Sequence, residues 1–453
     1  MTSNALSTVI LAAGKGTRMK SRLPKVLHEI AGRPMLGHVL ASVDALDGVR
    51  TVLVVGPGMD EVSRYAKSVD PETVIAIQQE PRGTGDAARS ASSNVSSASD
   101  VVLVLFGDTP LVRSETLAHM VDQCRKASDI VILGFEAVDP TGYGRIVALD
   151  GEVARIVEHK DANEAELAIR HCFGGPMAVR AAHFSSLLAK LTDDNAQGEL
   201  YLTDIVALGR AAGLYCSAVF CKESDIQGVN SRAQLASAEA TMQERLREAA
   251  MAGGVTFLDP ATAYLSFDTR FGQDVVVGQN VVFGPGCEIA DGVTIKAFSH
   301  LEGAIVAESA EIGPFARIRP GTEIGRKAKI GNFVETKKAK IEEGAKVSHL
   351  SYIGDARVGA GANIGAGTIT CNYDGYNKFF TDIGAGAFIG SNSSLVAPVK
   401  IGDGAYVGSG SVVTKDVATD ALAVARGRQM EKRGWAAAFR AKNESIKKAS
   451  SGD

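Results

Sequence analysis

This 453-residue chain reads as two architectures in series. The first is an α/β domain on a Rossmann-like, mostly parallel sheet, and the second is a triangular parallel β-helix. Three observations predict this. Short apolar strands alternate with helical stretches over the first half. A run of helix formers without Pro then occupies 230–252 and ends at Gly253-Gly254. Beyond it, an aliphatic or aromatic residue followed by Gly recurs with a period of six.

Taken in order, 8–11, 51–55, 74–77, 101–106 and 130–135 read as strands, and 35–46, 60–68, 85–91 and 114–125 as helices between them. That alternation predicts a parallel sheet with helices on both faces. The expected domains are 1–229, a linker helix 230–252, and 253–453. The repeat is carried by Val277-Gly278, Phe283-Gly284, Ile312-Gly313, Ile324-Gly325, Ile330-Gly331, Ile353-Gly354, Ile364-Gly365, Ile383-Gly384, Ile389-Gly390, Ile401-Gly402 and Val407-Gly408. Ile289, Ile295, Leu301, Ile318, Leu395 and Val413 keep the frame without Gly. A period of six fits neither a helix nor an alternating strand. It fits a coil of three short strands whose aliphatic residues stack inward. A β-sandwich would break its alternation every 8–12 residues instead. The repeat is expected over about 273–418, with 365–382 looped out. About eight coils at ~4.8 Å each give a prism of about 40 Å, whose flat faces suit a homo-oligomer. The residues around Trp435 read as a partly helical tail.

Bulk properties narrow the function. A formal net charge of −4 and a single Trp give no sign of a nucleic-acid partner. No run of 18 apolar residues predicts a membrane span, and 9–13 is too short for a signal-peptide core. Six cysteines without metal-like spacing read as reduced thiols of a cytoplasmic protein.

The chemistry of the first domain begins at LAAGKGTRM (11–19), followed by Pro24-Lys25. A Gly-rich turn at the carboxyl end of a first parallel strand lets backbone N–H groups approach phosphates, with Lys25 and Arg18 as countercharges. It is neither a Walker A loop nor a dinucleotide fingerprint, and alone it could be only a tight turn. Three further segments join it. QQEPRGTG (78–85) is a second Gly turn after a strand. Gly107-Asp108 closes an apolar strand and could place a carboxylate on Mg²⁺, or be an ordinary turn. GYGR (142–145) with VEHK (157–160) could line a sugar pocket.

In the prism, Arg319, Lys337-Lys338, His349, Tyr352, Asn372-Tyr373 and Lys378 arrive from successive coils and suggest an anion-and-amine site. Attack by an amine on a thioester needs a base, and His349 is the natural candidate. Alone it would read as a surface His; the basic residues around it favour the chemical reading.

Together, LAAGKGTRM, PK, GTG, GD, GYGR, VEHKD and GVN, joined to the hexapeptide prism, resemble a known family over nearly the whole chain. It is the bacterial bifunctional N-acetylglucosamine-1-phosphate uridyltransferase/glucosamine-1-phosphate acetyltransferases. The resemblance implies an α/β nucleotidyltransferase domain, a left-handed β-helix, and synthesis of UDP-N-acetylglucosamine for peptidoglycan and lipopolysaccharide. It implies that Leu11, Ala12, Ala13, Gly14, Gln78, Gly83, Thr84 and Gly107 hold UTP, with Lys25 and Arg18 at the triphosphate. Asp108 and Asn230 would hold Mg²⁺, while Gly144 and Glu158 bind the acetylated sugar. In the prism it gives Arg319, Lys337, Tyr352, Asn363 and Lys378 to glucosamine phosphate, and His349 to catalysis. Ala366, Asn372, Tyr373, Ser391, Ser409 and Arg426 fall to acetyl-CoA. The family assembles as homotrimers.

Three positions depart from the family pattern. Phe173-Gly174-Gly175-Pro176 replaces an Asn-led segment expected to contact sugar or ribose. Phe380 stands where a Lys is common, and Phe106 where Tyr is frequent.

Overall fold

The computed structural model describes residues 5–46, 48–149 and 151–450. The outermost ends of the two expected domains, 1–4 and 451–453, lie outside the described residues. The chain divides into two compact units, 1–250 with 264–267, and 251–263 with 268–453.

In the first unit the strands lie in the spatial order Cys216–Cys221, Ile130–Glu136, His171–Arg180, Ser99–Phe106, Ala5–Leu11, Val49–Val55, Val74–Ile77. His171–Arg180 alone runs antiparallel to its two neighbours in this row, and the hairpin Arg145–Leu149/Glu152–Val157 is attached to it. The strand Ser99–Phe106 shows why the sheet is buried on both faces. Val101, Leu103 and Leu105 enter one core with Leu36, Leu40, Leu117 and Met120 from the helices Met35–Asp44 and Ser114–Lys126. Val102 and Val104 enter the other, against Ala88 of Thr84–Ala91 and Phe184 and Leu188 of Ala181–Ala189. Both side-chain sets of each central strand are therefore apolar, as a covered parallel sheet requires. Leu11, Val55, Ile77 and Phe106 end at one edge, so the loops that follow them gather there.

One irregularity shapes that edge. Phe173 pairs with Gly134 but Met177 with Ile132, so the strand bulges at 174–176, where Pro176 has no N–H to offer the ladder. The helix Arg232–Ala252 packs through Ala238 and Gln243, and Gln243 exchanges hydrogen bonds with the backbone of Leu265.

The second unit is a left-handed parallel β-helix. Val277, Ile295, Ile312, Ile330, Val347 and Ile364 pair in succession, about one coil apart, and each is buried. The prism is longer than the repeat read from sequence. One face has ten strands, from Thr256–Phe257 to Leu422–Ala423, because its end coils lack the aliphatic–Gly signature. The insertion is shorter than 365–382: Ile369–Cys371 and Thr381–Ile383 stay in the ladder, and 372–380 leave it. The tail forms a helix, Trp435–Ser450.

Candidate functional sites

A cavity of about 510 Å³ opens at the carboxyl edge of the first unit's sheet. Leu11, Ala12, Ala13, Gly14, Lys25, Gln78, Gly83, Thr84, Asp108, Gly144, Glu158 and Asn230 all line it. They come from segments far apart in sequence, brought together because the loops leave the strands at the same edge. Gly107 lies one layer behind, its N–H donating to the Leu11 carbonyl at 2.9 Å. Arg18 sits on an exposed 3₁₀ turn and is not among the lining residues.

Lys25 organises the cavity's polar end. Its ammonium pairs with Asp108 and donates to Asn230 Oδ1 at 3.0 Å. The lysine is largely buried, and its stem lies against Gly16. A Cβ on Gly16, whose φ is +61°, would come within 2.6 Å of Lys25 Cβ, so a larger residue there would displace the lysine. A carboxylate and an amide oxygen thus converge on a single cation. Among the described residues no group of three or more His, Cys, Asp or Glu is arranged to hold a metal. Mg²⁺ needs no such cage, since it takes one or two protein oxygens and fills the rest with water and substrate phosphate. The Asp108–Asn230 pair fits that donor set.

Elsewhere on the cavity wall, Gln78 Nε2 donates to the Gly83 carbonyl at 3.1 Å and to Asp86 Oδ2 at 3.0 Å. Both amide hydrogens are thereby engaged, which turns Oε1 into the group Gln78 can offer a ligand. At the opposite end, Thr203 Oγ1 donates to Glu158 Oε1 at 3.0 Å. Burial raises the Glu158 carboxyl above its ordinary value; the Thr203 hydrogen bond opposes this, and the charges of Asp204, Asp161 and Glu199 add to it. Phe173, Gly174, Gly175 and Phe106 line the wall between these ends.

Several lining residues carried no sequence signal of their own. Lys15 was hidden inside the Gly motif, and Glu199 and Thr203 stand in a segment without a motif. The position of Glu199 and Thr203 follows from the hydrogen bonds Gly85 N to Leu200 O at 2.7 Å and Leu200 N to Arg82 O at 2.8 Å, which seat their segment beside the second Gly turn.

In the second unit, His349 is exposed and its Nδ1 lies 2.6 Å from Asn332 Oδ1. With a carbonyl oxygen as partner, Nδ1 is the donor, so in the neutral ring Nε2 is the nitrogen that can accept a proton. Asn332 pairs directly with His349 in the ladder, one coil below it. That spacing was the signal by which sequence reasoning could have found it.

The cationic residues gather beside this corner. Lys337 contacts Lys378, and that contact, then the Lys378 and Arg319 charges, lowers the Lys337 ammonium's pKa. Arg319 pairs with Glu335 at 2.7 Å. Lys378 returns from the excursion 372–380 through an antiparallel bridge to Tyr373. At the excursion's base, Asn372 Nδ2 donates to Asp355 Oδ2. The Tyr352 ring crosses Gly354 so closely that a Cβ there would lie 2.3 Å from its hydroxyl. Phe380 is half-exposed at the end of the loop, and Asn363 lies in the ladder between Lys346 and Phe388.

Ala366, Ser391 and Ser409 form a row along one corner. Asn392 N donates to Ala366 O at 2.7 Å, Gly410 N to Ser391 O at 2.8 Å, and Arg426 Nη1 to Ser409 O at 2.7 Å. Gly367 N donates to His349 O at 3.2 Å, which extends the same corner to His349.

Residues 8–203 match the MobA-like NTP transferase domain, and 268–303 and 380–415 match the bacterial transferase hexapeptide (six repeats). The "Bifunctional protein GlmU" of Parvibaculum lavamentivorans is 75% identical over 99% of this chain and 100% of its own length. Its counterpart in Azorhizobium caulinodans is 54% identical over 97% of this chain and 98% of that protein. The one in Paramagnetospirillum magneticum is 54% identical over 99% of both. On that near full-length identity, this chain belongs to the GlmU family of bifunctional proteins.

Proposed function

We propose that the two units carry out consecutive steps of UDP-N-acetylglucosamine synthesis, a precursor of peptidoglycan and lipopolysaccharide. The second acetylates glucosamine-1-phosphate from acetyl-CoA, and the first joins the product to UTP with release of pyrophosphate. The observation that carries the first assignment is the Lys25 ammonium held by Asp108 and Asn230 in a cavity shared with the Gly-rich loop and Glu158.

In uridylyl transfer, the 11–14 backbone and Gln78 Oε1 bind the nucleotide, while Lys25 and Lys15 neutralise the triphosphate, with Arg18 approaching from the rim. Gly144 and Glu158 seat the sugar so that its phosphate oxygen attacks the α-phosphorus in line. The new P–O bond forms as the bond to pyrophosphate breaks, and catalysis is positioning and charge neutralisation. Asp108 and Asn230 would hold Mg²⁺, which would add to the neutralisation of phosphate charge.

In acetyl transfer, Arg319, Lys337, Lys378 and Tyr352 bind the sugar phosphate, with Asn363 nearby. His349 Nε2 takes a proton from the amine as its nitrogen attacks the thioester carbon. The C–N bond forms, the C–S bond breaks, and coenzyme A leaves as the thiolate. Asn372 and Tyr373 flank the thioester, and the Ala366–Ser391–Ser409–Arg426 row runs along the coenzyme.

A homotrimer in the cytoplasm is the form we infer. Phe298, Phe315 and Phe333 stack at 5.0 and 5.1 Å along one corner and, with Leu350, leave an exposed apolar ladder beside His349 that a neighbouring copy could cover. Six free cysteines, and the lack of any helix among the described residues long and apolar enough to cross a membrane, accord with the cytoplasm. Chelation tests the division of labour. EDTA should abolish uridylyl transfer and leave acetyl transfer unchanged; loss of both, or of neither, would overturn it.

A further inference from the structure

Among the described residues, Arg145 is one of the largest fully buried side chains, 1% exposed, and it has no carboxylate within ion-pair distance. Its Nε likewise has no hydrogen-bond partner among the described residues. A buried guanidinium without an ion pair is costly, and the Asp139 charge acts on it only from beyond ion-pair distance, so its remaining contacts indicate what it is kept for. Nη1 donates to the Tyr143 carbonyl, and Nη2 donates to His159 Nδ1 at 3.3 Å. A guanidinium only donates, so His159 Nδ1 must be its unprotonated nitrogen.

These contacts tie together two turns, each adjoining a lining residue. Tyr143 precedes Gly144, and His159 follows Glu158. The turns face one another closely: a Cβ on Gly144 would lie 3.7 Å from both Glu158 carboxylate oxygens and 2.9 Å from Ile156 Cγ2. Phe173 N donates to the Gly144 carbonyl at 2.8 Å, so the bulged wall hangs on the same turn. Arg145 itself does not line the cavity.

We infer that Arg145 is a positioning residue for the sugar subsite, clamping the Tyr143 and His159 turns so that Gly144 and Glu158 keep the separation a sugar ring requires. The inference rests on the assignment of that end of the cavity to the sugar. It accounts for a buried charge of a kind that well-packed apolar side chains often replace without loss of stability.

The test separates the two substrates. Arg145→Met should raise the KM for N-acetylglucosamine-1-phosphate by roughly 10-fold, the scale of losing hydrogen bonds from a charged donor. The KM for UTP should stay within about 2-fold, and acetyl transfer by the same protein should match wild type, reporting intact folding of the second unit. His159→Ala removes the far end of the clamp without touching a buried charge. It should shift the sugar KM the same way, which serves if Arg145→Met fails to fold. The two effects should be non-additive in the double variant. Equal rises in both KM values, or an unmoved sugar KM in His159→Ala, would overturn the clamp. Glu158→Gln, measured in parallel, distinguishes the failures. If it leaves the sugar KM unchanged, the subsite assignment is wrong; if it raises it while the clamp variants do not, only the clamp is wrong.

Discussion

His349→Ala isolates one chemical role on a surface where nothing else should change. The imidazole is exposed, and among the described residues its one side-chain hydrogen-bond partner is Asn332 at 2.6 Å, so its removal costs little stability. A positioned general base contributes about 10²–10⁴-fold, or roughly 3–5 kcal/mol of barrier. Coenzyme A release from acetyl-CoA and glucosamine-1-phosphate should therefore fall by at least about 100-fold. Asn332→Ala leaves the imidazole but frees its tautomer and orientation, and should lie between, at roughly a 10-fold loss. Uridylyl transfer with added N-acetylglucosamine-1-phosphate, assayed on the same preparations, should be unaffected, because its cavity lies wholly in the first unit. A His349→Ala rate within about 3-fold of wild type, far short of the 100-fold expected of a lost base, would refute the reasoning and leave amine deprotonation to solvent.

Two further predictions concern the first unit. Phe173→Asn supplies the hydrogen-bonding side chain that the family pattern has there; one bond, at about 1–3 kcal/mol, should lower the sugar-phosphate KM by roughly 5-fold or more. The melting temperature should fall as well, because Phe173 packs against the core while lining the cavity; an unmoved or raised KM would contradict this. Glu158 predicts a pH signature. Its carboxyl is raised by burial above its ordinary 4.5, so the folded state holds its proton to higher pH than the unfolded chain does. The associated stability is present below 4.5 and is lost as pH rises through the folded value. Glu158→Gln should thus gain stability over wild type as pH rises from 4.5 towards neutrality, while sugar binding weakens. A stability difference that does not change with pH would count against it.

How much could be read from residues alone depended on periodicity. Val101 to Leu105 is apolar at every position because both sheet faces are covered, so the strand and its class were visible. The six-residue frame likewise marked the inward positions, since only stacked aliphatics fill a prism. Where a coil departs from aliphatic–Gly, as at Thr256–Phe257, the signal vanished although the ladder continued. The excursion also looked longer than it is: Ile369–Cys371 pairs in register with Ser394–Val396 without the repeat signature.

Within the sites, residues inside motifs were legible, and those brought in by tertiary pairing were not. Thr203, at the start of the helix Asp204–Ala211, reaches Glu158 from a distant stretch of sequence, and Arg145 acts through two turns, neither of which local spacing reveals. Asn332 is the intermediate case, visible only after the coil length is known. Arg18 shows the converse, a motif residue that the local turn leaves exposed and off the cavity wall.

The most direct test is mass-spectrometric analysis of the products formed by the purified protein from glucosamine-1-phosphate, acetyl-CoA, UTP and Mg²⁺. The account predicts UDP-N-acetylglucosamine and pyrophosphate, with N-acetylglucosamine-1-phosphate accumulating when UTP is withheld. Acetylated sugar phosphate that is never converted with UTP present would contradict the role given to the first unit's cavity. No acetylated sugar at all would contradict the role given to His349 and reduce the prism to a scaffold.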